Sequence, residues 1–205
     1  MTNYMKWMCA ILLMLSMCML TGCSFFSPVK VDASNKYVIN KMPCFVPTKQ
    51  KRAIVLLVTK PEVRAIYNTT LMAYTIKPYQ ISYYSLNQWA ETPDEMFQPL
   101  LVQTMQNTHH FKAVVTPPYN GIYDYELNTE ILSLLQDYTC RMPVFVMTVR
   151  AQIIKTSRNR VIATRQFTVV QPLPQRSPYG GVFAANAATA HILERMAVFS
   201  MESIR

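Results

Sequence analysis

Glycine is nearly missing from this sequence. Its 205 residues hold four: Gly22, Gly121, Gly180 and Gly181. A phosphate-cradling Walker loop or a dinucleotide fingerprint needs several glycines at fixed spacing, so neither is present. The chain is therefore not an ATPase. No Gly-x-Ser-x-Gly elbow occurs either. Histidine is almost as scarce, at His109, His110 and His191. His109 and His110 are adjacent, so their side chains diverge, and no Cys or acidic residue stands nearby at metal-ligand spacing. The expectation is no metal, no cofactor and two solvent-edge histidines after a helix. Acidic side chains are also few, 11 against 20 Lys and Arg. Asp124, Glu126 and Glu130 alternate with apolar residues, which is what the wet face of a sheet produces. The basic residues are scattered, and the densest group is Lys49, Lys51 and Arg52. They read as a solvated face near an anionic membrane. No nucleic-acid partner is expected.

The N-terminus carries what the rest lacks. Lys6 precedes an apolar run from Trp7 to Leu20. At about 14 residues the run is shorter than the ~20 that span a bilayer. A basic start, an apolar middle and small residues before a cleavage point make a secretory signal. Leu20-Thr21-Gly22-Cys23 resembles the bacterial lipobox. That resemblance implies diacylglyceryl transfer to the Cys23 thiol, removal of residues 1–22 and acylation of the new amine. Each buried methylene contributes about 0.8 kcal/mol, and one chain alone binds marginally, so two or three chains anchor stably. Ser24 is not Asp, which by the enteric sorting rule implies the inner leaflet of the outer membrane, facing the periplasm. Cleavage leaves 183 of the 205 residues, enough for one domain. Lys6 leaves too, so the net charge falls from +9 to +8.

Cys9 and Cys18 leave with the signal, and Cys23 is modified. Cys44 and Cys140 remain in an oxidising compartment and are a candidate disulfide. The alternative is two unrelated thiols.

Residues 23–35 read as a tether, with Phe25 and Phe26 close to the anchor. From 36 to 205 the pattern is that of one domain. Short strands are expected at Tyr37–Ile39, Ala53–Val58, Leu71–Ile76 and Gln80–Leu86. Thr92, Pro93 and Glu95 spell a helix start, and Met96, Phe97, Leu100, Leu101 and Met105 follow at helical spacing. Phe111–Val115 is another strand. Alternating segments near Tyr123–Ile131, Phe145–Ile153 and Ile162–Val170 predict an antiparallel meander with one wet face. An Ala-rich helix closes the chain from Val182 to about Ser203. The fold class is α/β (α+β): a single mixed sheet of seven or eight strands with two main helices.

The order of the pieces resembles one family. A lipobox is followed by short strands, then Tyr83-Tyr84, Trp89-Ala90 and Pro93 leading into an amphipathic helix. His110-Phe111-Lys112-Ala113-Val114 comes next. Arg160-Val161-Ile162-Ala163-Thr164-Arg165-Gln166-Phe167 and Phe183-Ala184-Ala185-Asn186-Ala187-Ala188 complete the set. This looks like the ABC-type transport auxiliary lipoproteins, the paraquat-inducible protein C group. The resemblance implies a non-enzymatic envelope component. Its implied partners are an MCE-domain protein and that protein's ABC permease and ATPase, which move lipids or other hydrophobic compounds between membranes. It also implies docking of the MCE assembly as a homo-oligomeric ring. No catalytic residue carries over. Tyr83, Tyr84 and Trp89 are candidate partner contacts, although Trp89 reads first as a core anchor and only second as a contact. A reading from another class is an envelope binding module or enzyme unrelated to transport.

Overall fold

The computed structural model describes residues 3–8 and 34–204. The chain divides into two units, Met1–Ala33 and Ser34–Arg205. In the first, residues 3–8 are helical. Cys23 and its neighbours lie outside the described residues. Among the described residues no helix is long and apolar enough to cross a membrane.

Among its described residues the second unit is a mixed nine-stranded sheet with two α-helices. In chain order these are β1 (Asn35–Tyr37), β2 (Val55–Val58), β3 (Glu62–Val63), β4 (Leu71–Thr75), β5 (Ser82–Trp89) and α1 (Pro93–Asn107). Then come β6 (Ala113–Val115), β7 (Tyr125–Asp137), β8 (Val144–Lys155), β9 (Arg160–Pro172) and α2 (Pro178–Ser203). The α+β class holds. The strand count rises to nine because two residues, Glu62–Val63, pair with β7, too short a run to leave an alternation in the sequence.

The sheet is built on β7. Three short strands pair parallel along one of its edges in succession: β2 with Leu56 opposite Tyr125, β3 with Glu62 opposite Glu130, and β4 with Tyr74 opposite Gln136. The other edge carries β8 and then β9, both antiparallel, as the alternating sequence requires. β6 extends the sheet beside β2, β5 beside β4, and β1 beside β5.

Period-two alternation decides which side chains are buried. Tyr125, Leu127, Thr129 and Ile131 are buried, while Glu126, Asn128 and Glu130 are only half-buried. A bulge between Ile131 and Ser133 then shifts the phase by one. Leu134, Gln136 and Tyr138 therefore continue the buried row. From β8 the core receives Phe145, Met147, Val149, Ala151 and Ile153.

The helices cover that buried side. α1 begins as its sequence dictates. The Thr92 N–H donates to the Glu95 carboxylate at 3.4 Å, the return half of a capping box, and Pro93 follows the cap. Asp94 and Glu95 sit at the positive end of the helix dipole. α2 packs on β8 and β9. Its small residues Ala184, Ala185, Ala188 and Ala197 are buried and allow close approach. Ile192, Leu193, Met196 and Phe199 fill the space between, each contributing roughly 1.5–3 kcal/mol on burial. The Phe199 ring meets Phe167 edge-on, with centroids 5.7 Å apart.

Two expectations are corrected. His110 is buried at 2% exposure rather than placed at a solvent edge. Its Nδ1 lies 2.9 Å from the Gln50 carbonyl, which can only accept, so Nδ1 carries the proton. Cys44 and Cys140 are free, exposed thiols in separate loops, and the bridge considered from the sequence is not formed.

Candidate functional site

The three aromatic residues singled out by the sequence do not share a surface. Trp89 is 2% exposed and belongs to the core, the first of the two roles weighed for it from the sequence. It ends β5 opposite Tyr37, and its N–H donates to the Thr70 carbonyl at 2.7 Å. Tyr83 is partly exposed, and its hydroxyl donates to the Ile66 carbonyl at 2.8 Å. Tyr84 is half-buried and stacks on Tyr74 with centroids 4.4 Å apart.

Tyr84 belongs to a tyrosine cluster that supports one end of the sheet. The Tyr138 hydroxyl donates to Gln136 Oε1 at 2.8 Å. The Tyr84 hydroxyl lies 3.1 Å from that of Tyr138 and 3.2 Å from the same Gln136 oxygen. Burial pushes both hydroxyls above the ordinary tyrosine range. Their mutual hydrogen bond raises Tyr84 further, whereas it lowers Tyr138, as does nearby Arg176. The Arg176 guanidinium sits 5.2 Å above the Tyr138 ring centre.

Three loops meet over this cluster. They are the β4–β5 hairpin at 76–81, the β7–β8 turn at 138–143 and the segment at 173–177 that leads into α2. Backbone bonds tie them together: Tyr138 N–H to the Thr75 carbonyl at 2.9 Å, and Leu173 N–H to the Pro143 carbonyl at 3.0 Å. This end, called here the tip, exposes large apolar side chains. Ile76 is 52% exposed, Met142 78%, and Tyr79 fully so. Tyr79 also holds a φ of 67°. The Gln80 N–H donates to the Lys77 carbonyl at 3.3 Å, closing a turn with Pro78 at the second position and Tyr79 at the third. A positive φ at that third position favours Gly or Asn. The sequence marked only the turn between the expected strands Leu71–Ile76 and Gln80–Leu86; the tip's other residues are far apart in the chain and come together only through strand pairing.

Beside the tip a groove of about 530 Å³ runs between β1 and α2. Tyr37, Val38, Tyr179 and Phe183 line it, with Lys36 and Lys41 at its margin. The Tyr179 ring meets Phe183 at 4.9 Å and Tyr37 at 5.7 Å. The Asn186 side chain closes its far end, accepting from the Asn40 and Lys41 N–H groups at 3.0 Å. Elsewhere, on the wet face of the sheet, Glu126, Glu130, Arg150 and Gln152 line a polar basin of about 360 Å³. Glu130 and Arg150 form an ion pair across β7 and β8. Asp124 is spent on structure, accepting from the Val55 N–H at 2.8 Å. Among the described residues no group of three His, Cys, Asp or Glu side chains could hold a metal ion.

Comparisons with known proteins place this fold. A protein of family DUF330 from Xanthomonas campestris superposes with a TM-score of 0.72 at 20% identity, covering 83% of this chain and 96% of that one. A hypothetical protein from Chlamydia trachomatis gives a TM-score of 0.51 at 10% identity, covering 74% and 98%. At such identities the likeness is one of fold. No curated protein matches the sequence. The profile of the family described as "ABC-type transport auxiliary lipoprotein component" matches residues 37–197, nearly the whole second unit. The chain is therefore a member of the ABC-type transport auxiliary lipoprotein family.

Proposed function

We propose that this protein is a lipid-anchored docking component of an MCE-type ABC system that moves lipids or other hydrophobic compounds across the envelope. The observation that carries the reading is the family match over residues 37–197, which spans the sheet from its first strand into α2. Residues 1–22 act as the lipoprotein signal, Cys23 takes the lipid and residues 23–35 tether the domain. Residues 36–205 form the part that meets partners in the periplasm, from the outer membrane's inner leaflet. The protein works by binding rather than by catalysis. Its partners are an MCE-domain protein with its permease and ATPase, and copies of itself in a ring.

Genetics tests the reading. Deletion of this chain and deletion of the permease should produce the same envelope defect, and the double deletion should be no worse than either. An additive double defect would place the chain in a separate process. A Cys23→Ala variant should behave as the deletion does, because the domain would then be released from its membrane.

A further inference from the structure

We propose that the tip is the face by which the domain sits on an anionic phospholipid bilayer, the one that carries its own lipid anchor. The inference rests on the Cys23 reading above. Three observations support it.

The first is the direction of the chain. β1 runs parallel to β5, with Asn35 opposite Asn87 and Tyr37 opposite Trp89. β5 itself runs from the β4–β5 hairpin toward Trp89. β1 therefore runs away from the tip, and the chain enters the domain from the tip side. Cys23 lies eleven residues before Ser34. Even fully extended, that length reaches only about 40 Å.

The second is chemistry. Ile76, Tyr79 and Met142 project from the same end as Lys77, Arg141 and Arg176. Apolar and aromatic side chains beside cations suit the boundary between acyl chains and anionic headgroups. The one acidic side chain among the tip's flanking residues, Asp137, is engaged by Thr139, accepting from its N–H at 2.8 Å and its hydroxyl at 2.7 Å. Tyr179 and Phe183, both half exposed, continue the apolar surface along the groove.

The third is Tyr79 itself. A fully exposed tyrosine stabilises no core, and its φ of 67° is unfavourable for a side chain that is neither Gly nor Asn. Strain at an exposed aromatic points to a use for the ring outside the domain. The opposite end of the sheet also exposes an apolar residue, Ile122, 91% accessible. It lies on the side toward which β1 runs, away from the point of chain entry.

The test uses the lipidated chain reconstituted in vesicles of phosphatidylethanolamine and phosphatidylglycerol with brominated acyl chains. Tyr79→Trp and Ile122→Trp are compared, with buried Trp89 as the common background. Bromine quenches only indole that reaches the bilayer. The expected result is quenching of Tyr79→Trp about threefold or more above Ile122→Trp, reduced by adding Lys77→Glu and Arg141→Glu. Equal quenching of the two, or stronger quenching of Ile122→Trp, would overturn the proposal while leaving the anchor intact. Flotation of the same samples separates the two readings. A chain that fails to float with vesicles would overturn the Cys23 assignment and this proposal with it.

Discussion

Gly181, in the first turn of α2, lies so close to the Gln136 side chain of β7 that a Cβ there would overlap the amide group. The helix can approach the sheet at this point only because the residue has no side chain. Gly181→Ala should therefore destabilise the domain by about 1–3 kcal/mol, the usual cost of overpacking. Urea unfolding measures it. Adding Gln136→Ala should recover part of the loss, since the two side chains compete for one space.

The tyrosine cluster gives a second prediction. Removing the Tyr84 hydroxyl leaves Gln136 Oε1 one neighbour short, and Tyr84→Phe should cost about 1 kcal/mol. The alkaline limb is also fixed in sign. Burial, then the bond to Tyr138, raises the Tyr84 pKa above its ordinary 10.0. The folded state thus resists ionisation, and stability should fall as pH rises past about 10. Absorbance at the phenolate band should show this residue ionising only as the protein unfolds.

On the acid side two groups act in sequence. Burial first, with Arg52 and Lys49 nearby, holds His110 below its ordinary 6.5, against hydrogen bonding to the Gln50 and Ile204 backbone. The unfolded chain then binds this proton more readily. Stability should begin to fall as pH drops through about 6.5 and stop falling on this account below the folded pKa. At Asp94 burial works upward, but Lys60 at 2.8 Å and Thr92 outweigh it, and the pKa lies below 3.8. Its contribution is present above that value and is lost only at lower pH. Chemical denaturation between pH 4 and 8 should therefore show a slope that His110→Gln flattens.

Cys44 and Cys140 should both react with a thiol reagent in the native, non-reduced protein, because both are exposed and free. Two thiols per mature chain is the expected count. A count of zero, restored to two by reductant, would mean that they bridge.

Much of the fold was legible where one local signal dominated. Thr92, Pro93 and Glu95 fixed the start of α1 because the cap, the proline and the acid all act within one turn. The β7–β8–β9 meander was legible because one wet face enforces alternation. The start of α2 was not. Pro178, Gly180 and Gly181 read as breakers, which delayed the expected helix to Val182. In the structure the Ser177 hydroxyl accepts from the Gly180 N–H at 3.0 Å, and Pro178 occupies the first turn. The glycines are there for close packing. β7 also runs past Ile131 to Asp137, because its bulge shifts the alternation by one residue and breaks the pattern read along the sequence. Of the candidate contact residues, Trp89 went into the core, since burial of a large ring outweighs its use outside. The tip as a whole was not legible, as Tyr79, Met142 and Arg176 reach the same end of the sheet only through the register of β4, β7, β8 and β9.

The central claim is tested most directly by affinity purification of the mature lipoprotein from detergent-solubilised envelope, with mass spectrometry of what accompanies it. The account predicts recovery of an MCE-domain protein together with its permease and ATPase. Recovery of none of these, from a chain shown to be folded and lipidated, would contradict it.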